Sequence, residues 1–239
     1  MNNSLNKSQI ERFSRQLILK NIGTNGQKKI LSSKILIVGV GGLGCPAAEN
    51  LVRAGIGTIG LIDNDIVNLS NIHRQSLFNS KDIKKPKVTV AAKKLKEINS
   101  LTKIKTYKSK LNKKNLEKII KNYEIIIDGS DNFKTKFLVN DYCLKLKKKL
   151  ITGAISKFDG HIFSFDFEDQ KIASLKDFYQ EKEVSDDILN CEFEGVLGTT
   201  ASVVGATQAN EALKMIIEAG QKLKNQILII DLLNLNFRK

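Results

Sequence analysis

With 239 residues, 41% of them hydrophobic, the chain is long enough to bury one large α/β core without disulfides. Its cysteines, Cys45, Cys143 and Cys191, are odd in number and widely spread, which excludes a disulfide framework; no stretch approaches the roughly 18 apolar residues of a membrane span or follows the pattern of a leader, so a soluble cytoplasmic protein is expected. The net charge of +14 rests on lysine, with only five arginines, and is read as solvated lysine faces such as Lys147 to Lys149 rather than as a nucleic-acid surface.

Residues 1–33 form an N-terminal helical segment in which Ile10, Phe13, Leu17 and Ile18 recur near helical spacing, and Gly23 and Gly26 are expected to break it. The run from Lys34 to Gly39 is short, apolar and β-branched, as suits a buried parallel strand. Pro46 to Ala54 supplies a helix, and Thr58 to Asp63 a second strand, completing a βαβ unit. Lysine-rich helices are predicted near 86–98 and 112–121, followed by apolar strands at Tyr123–Asp128 and Lys149–Gly153. Cys45 and Cys143 fall on helices among apolar residues and read as core. From His161 to Phe167 the pattern alternates with period two, which suggests an antiparallel strand. Residues 168–190 are polar without a clear period and are expected to form a mobile or crossover loop; a small-residue helix at about 199–219 and a strand at Gln226–Leu233 close the chain. The expected fold is a single α/β domain over residues 1–239, a Rossmann-like doubly wound sheet that is mostly parallel, with C-terminal antiparallel strands.

The chemistry concentrates where strands end. Gly39-Val-Gly41-Gly42-Leu-Gly44 follows a strand and opens a helix, so its backbone can approach a phosphate closely at a helix N-terminus. Asp63, 19 residues after Gly44, is placed to accept hydrogen bonds from ribose hydroxyls. This much says nucleotide without choosing among ATP, NAD and FAD. The stretch from Asp63 through Asp65, Asn68, Ser70, Asn71 and Arg74 to Gln75 then supplies carboxylates, amides and a guanidinium, a set suited to a polyphosphate rather than to a dinucleotide. Arg74 and Lys87, the latter beside Pro86 at a helix start, can neutralise charge that builds up when an α-phosphate is attacked. In a lysine-rich chain Lys87 would otherwise read as one more surface lysine. Asp131, in Asp128-Gly-Ser-Asp131-Asn132 after a strand, is the candidate ligand for Mg²⁺.

These motifs, with Arg12-Phe-Ser-Arg15-Gln near the start, Ser70-Asn-Ile-His-Arg74-Gln, and Gly195 onward through Gln208-Ala-Asn-Glu211-Ala, resemble the MoeB/ThiF family, relatives of the ubiquitin-activating enzymes, nearly end to end. The resemblance implies a cytoplasmic homodimer in which Arg15 reaches into the partner's site. It also implies a reaction in which the Gly-Gly C-terminal carboxylate of a ubiquitin-like sulfur-carrier protein attacks ATP to give an acyl adenylate and pyrophosphate, for thiamin or molybdopterin synthesis. Cys191 aligns with a cysteine that links to the carrier or takes part in sulfur transfer in some relatives, although neighbouring Glu192 and Glu194 would raise its thiol pKa. Two departures stand out. Where family members carry two Cys-x-x-Cys pairs for zinc, this chain has none, so no zinc is expected. The sequence also stops at Lys239 without a sulfurtransferase domain, so a separate donor such as a cysteine desulfurase is expected. His73 and His161 are not expected to be catalytic, since a carboxylate nucleophile needs no general base. The competing readings are a dehydratase-like relative that adenylylates a carboxyl group on a tRNA base, an NAD or FAD oxidoreductase, and a scaffold that has lost catalysis. The last is opposed by the presence of Arg15, Arg74, Lys87 and Asp131 together.

Overall fold

The computed structural model describes residues 4–169, 171–179 and 195–239. Helices α1 (Lys7–Leu17) and α2 (Gly23–Ser32) lead into β1 (Lys34–Val38), α3 (Gly44–Ala54), β2 (Thr58–Ile62), α4 (Lys87–Ile98), β3 (Lys103–Tyr107), α5 (Leu116–Ile120), β4 (Ile125–Asp128) and α6 (Phe133–Lys145). They are followed by β5 (Lys149–Ser156), β6 (Asp159–Asp166), α7 (Leu175–Phe178), α8 (Gly198–Ile217), β7 (Ile227–Asp231) and β8 (Asn236–Arg238).

One eight-stranded sheet runs β3-β2-β1-β4-β5-β6-β7-β8. Its first five strands are parallel, and β6 and β7 are added antiparallel, as the sequence leads one to expect, with β8, a short exposed strand that was not expected, pairing antiparallel with β7. Strand residues are apolar on both faces because helices cover both. Ile35, Ile37, Ile59, Leu61, Ile125 and Ile127 face a core shared with α3, α4 and α8. Their alternates Leu36, Val38, Ile62 and Ile126 face a second core shared with α5 and α6. The order turns back between β1 and β4, which places a crevice at the carboxyl ends of these strands.

Three other elements depart from expectation. The N-terminal segment is two helices, and Gly26 lies buried inside α2 rather than ending a helix. A Cβ there would sit 3.3 Å from Ile22 Cγ2 and 3.4 Å from Ile217 Cγ2, so glycine is what lets α2 close on α8. Strand β3 went unpredicted because it is the sheet edge, with Lys103 and Lys105 exposed, so it lacks the apolar run of its neighbours. Within 168–190, residues 171–179 hold α7, whose Leu175 is buried, while residues 170 and 180–190 lie outside the described residues.

Candidate active site

The crevice is a cleft of about 310 Å³, within the roughly 300–1,000 Å³ usual for small-molecule sites. Its lining brings together Gly39, Gly41, Gly42, Asp63, Asp65, Arg74, Lys87, Asp131 and Asn132, all singled out in the sequence.

The glycine loop has a geometric reason at two positions. Gly39 takes φ +81°, a left-handed conformation that side chains resist, and a Cβ on Gly44 would collide with the Gly39 carbonyl oxygen. Gly44 therefore serves the packing of the loop on α3 and does not line the cleft. Helix α3 has Leu43 as its N-cap and no side-chain cap; the Cys45 N–H donates to the Gly41 carbonyl at 3.0 Å and Pro46 has no N–H, so what the helix offers an anion is the positive end of its dipole beside the glycine loop.

Asp63 leaves β2 with both carboxylate oxygens anchored. Oδ2 accepts from the Val40 N–H at 2.7 Å and Oδ1 from the Asp65 N–H at 2.8 Å. Each oxygen keeps a second lone pair for a ligand hydroxyl. Burial pushes the Asp63 carboxyl above the ordinary carboxylate range, against the pull of the Lys87 ammonium and the two N–H bonds. Lys87 is 7% exposed, and its Nζ lies 3.2 Å from Oδ2 of Asp65, which is 59% exposed. The Lys87 backbone N–H also donates to the Asp65 carbonyl at 3.0 Å, which fixes the start of α4 against the loop after β2. Lys87 is thus a buried cation aimed into the cleft, not a solvated surface lysine.

Arg74 runs along the loop, with its Cγ and Cδ each 3.6 Å from where a Gly42 Cβ would stand. Its Nη1 donates to the Ser70 carbonyl at 2.9 Å and lies 2.7 Å from His73 Nε2. Ser70 and Asn71 do not line the cleft. They shape the turn that delivers Arg74, since the Asn71 carbonyl accepts from the N–H groups of Arg74 and Gln75 at 3.1 and 3.0 Å. His161 is away from the cleft on β6, its Nδ1 3.4 Å from the Tyr179 hydroxyl, and burial lowers its pKa.

Asp131 is exposed in the turn after β4, accepting from Asn132 Nδ2 at 3.2 Å. Asn132 caps α6 by accepting from the Thr135 N–H at 2.9 Å. Asp128 has a different role from its neighbour. Fully buried, its Oδ1 accepts from the Ser130 N–H and hydroxyl at 3.0 and 2.6 Å. Its Oδ2 accepts from the Thr152 hydroxyl at 2.7 Å and from Lys136 Nζ at 3.2 Å. Of the two carboxylates, Asp131 has the free oxygen that a hard divalent cation beside phosphates would need, and Asp128 does not.

Two parts of the lining escaped the sequence reading, the Ser109–Leu111 stretch after β3 and Lys136, whereas Gln75, the last residue of the stretch that begins at Asp63, does line the cleft. Gln75 is buried, and its Oε1 has no hydrogen-bond partner among the described residues. Lys136 stands four residues beyond the α6 cap, the first helical turn that can reach back over the end of β4, and that spacing was the available signal. Arg15 is exposed on the last turn of α1, outside the cleft and without a partner among the described residues. Cys191 lies outside the described residues.

Residues 13–239 match the model of the ThiF family. The chain belongs to the ThiF family. Over essentially its whole length it is 38% identical to a probable molybdopterin-synthase adenylyltransferase of Gracilaria tenuistipitata var. liui, of which it spans 66%. It is 36% identical, over 98% of its length, to a sulfur carrier protein adenylyltransferase of Thermus thermophilus, spanning 87% of that protein. It is 40% identical to the adenylyltransferase and sulfurtransferase MOCS3 of Drosophila virilis, of which it spans about half. Among solved structures, Escherichia coli MccB with ATP superposes with a TM-score of 0.81 at 23% identity, covering 95% of this chain and 70% of that one. SeMet PaaA gives 0.82 at 21%, covering 100% and 75%. These two likenesses concern the fold. The ThiF-family glycine loop, Asp63 and the cations thus stand at the carboxyl ends of β1, β2 and β4, where an open parallel sheet places its ligands.

Proposed function

We propose that this chain adenylylates the C-terminal glycine carboxylate of a small ubiquitin-like sulfur-carrier protein with ATP, releasing pyrophosphate, in thiamin or molybdopterin synthesis. The observation that carries the reading is the convergence of the glycine loop, Asp63, Arg74, Lys87 and Asp131 in one cleft, in a family whose relatives at 36–40% identity are named adenylyltransferases. A dinucleotide oxidoreductase would use the loop and Asp63 and leave the rest without a task.

Asp63 holds the ribose hydroxyls, and the α3 N-terminus with Gly41 and Gly42 cradles phosphate. Arg74 and Lys87 face the charge that grows on the α- and β-phosphates as pyrophosphate leaves, a stabilisation felt most in the transition state. Asp131, with its free carboxylate oxygen, would hold Mg²⁺, and the ion would supply charge neutralisation. The nucleophile is already an anion, so no side chain must take a proton from it.

Beyond this core the proposal includes a cytoplasmic homodimer in which Arg15 completes the partner's cleft, no structural zinc, a separate sulfur donor, and a single functional domain. The test is ATP–pyrophosphate exchange with each candidate carrier ending in Gly-Gly. Exchange that appears only with a carrier supports the reading. Exchange driven by a tRNA, or a nicotinamide absorbance change with no exchange, would replace it.

A further inference from the structure

Lys136 is the one buried cation lining the cleft, among the described residues, that the roles above leave unused. Its position along the cleft says what it could meet. The lining follows the carboxyl ends of five parallel strands in spatial order: Ser109 to Leu111 after β3, Asp63 after β2, Gly39 after β1, Gly129 to Asn132 after β4, and Ala154 with Ile155 in β5. At ~4.8 Å between strands this row is about 19 Å long. The nucleotide fills the β3, β2 and β1 portion, because Asp63 marks the ribose and the glycine loop marks the phosphates. What remains is the β4 and β5 portion, next to the phosphates and farthest from the ribose. The acyl substrate must come from that side.

Lys136 sits over the seam between β4 and β5. Its Nζ donates to Asp128 Oδ2 at 3.2 Å and to the Gly153 carbonyl at 2.6 Å. A lysine ammonium has three N–H donors arranged tetrahedrally, so one is left after these two. The side chain is 6% exposed, and Lys136 is among the residues that line the cleft. Asp128 is itself immobilised by Ser130 and Thr152, and its backbone carbonyl accepts from Gln208 Nε2 at 3.0 Å. The two bonds therefore hold the ammonium in one orientation, which is the preorganisation a substrate-binding donor needs.

Resting on the functional reading above, we infer that the third N–H of Lys136 binds the attacking carboxylate of the carrier's terminal glycine. One carboxylate oxygen accepts from Lys136 while the other forms the bond to the α-phosphorus. The bond from that phosphorus to the bridging oxygen breaks, and its electron pair leaves with pyrophosphate. Lys136 keeps its proton throughout. Because the Lys136 and Asp128 pair is neutral, the contribution is a directed hydrogen bond rather than added net charge, and it orients the nucleophile beside Asp131.

The test compares a carrier ending in a free Gly-Gly carboxylate with the same carrier ending in an amide, bound by calorimetry to the wild-type protein and to Lys136→Met. The wild type should prefer the free acid by about tenfold, as suits one charge-assisted hydrogen bond, and the variant should lose that preference. In exchange assays its KM for the carrier should rise about tenfold while KM for ATP stays within about twofold. Should Lys136→Met fail to fold with Asp128 left unpaired, the double variant Asp128→Asn, Lys136→Met carries the same comparison with both buried charges removed. An acid preference that survives in the folded variant would overturn the assignment. A rise confined to KM for ATP would make Lys136 a phosphate contact and overturn it equally. A wild type that binds neither carrier form would reject the functional reading and this inference with it.

Discussion

Replacing Lys87 with methionine separates catalysis from stability, because the two partners of its ion pair are buried so differently. The Lys87 side chain is 7% exposed, but Asp65 is 59% exposed, so removing the ammonium leaves behind a carboxylate that water can solvate. A pair with one solvated partner is worth roughly 0–1 kcal/mol, and methionine preserves most of the buried stem, so the fold should lose no more than about 1 kcal/mol. Loss of a preorganised cation from a phosphoryl transition state costs about 3 kcal/mol, or roughly a hundredfold in rate. Lys136→Met is the internal contrast. Its partner Asp128 is 0% exposed, so that change strands a buried charge at a cost of about 3–5 kcal/mol. Exchange kinetics and urea denaturation of both variants provide the check. Near-normal turnover in a folded Lys87→Met, or a stability loss as large as that of Lys136→Met, would refute the placement of Lys87 in the cleft.

The raised pKa of Asp63 gives a pH signature: ribose binding uses the ionised carboxylate, so ATP affinity should fall on acidification beginning above the ordinary carboxylate range. Because Lys87 opposes that rise, Lys87→Met should move the loss to still higher pH, and an ATP-binding profile that does not shift would count against the coupling. Elemental analysis should find less than one zinc per chain after chelation with no change in Tm; one tightly held zinc would contradict the absence of the cysteine pairs. Mixing Arg15→Ala chains with Asp131→Asn chains should restore about a quarter of wild-type activity, since about half the dimers are mixed and each carries one intact site. Mixtures that stay inactive despite subunit exchange would place Arg15 in its own subunit or outside the chemistry.

Much of this site is legible in the sequence because its parts obey strict backbone demands. β1 and β2 are β-branched runs ending in Gly39 and Asp63, and the glycine spacing between them has few structural uses other than a phosphate turn. Lys136 and β3 were hidden by the same cause, the abundance of lysine. In β3 the lysines mark an exposed edge; in α6 one of them turns inward to a buried aspartate, and composition cannot tell these apart. Helix α6 is a further case, since Lys136 and Asn140 on its buried side interrupt the apolar stripe of Phe133, Phe137 and Cys143. Gly26 misled in the opposite direction, because a residue that favours helix ends in isolation was selected here for close contact with Ile217. Pairings distant in sequence, such as Gln208 with the Asp128 carbonyl, are set by topology and have no local signature.

The reaction itself is tested most directly by isotope transfer. A carrier with both oxygens of its terminal carboxylate labelled with ¹⁸O is incubated with ATP and the protein, and the adenylate is then discharged with a sulfur nucleophile. If a carboxylate oxygen attacks the α-phosphorus, one labelled oxygen becomes the bridge of the acyl adenylate and leaves with AMP, so mass spectrometry finds AMP carrying a single ¹⁸O. Unlabelled AMP, or label appearing in pyrophosphate, would contradict adenylylation of the carrier carboxylate.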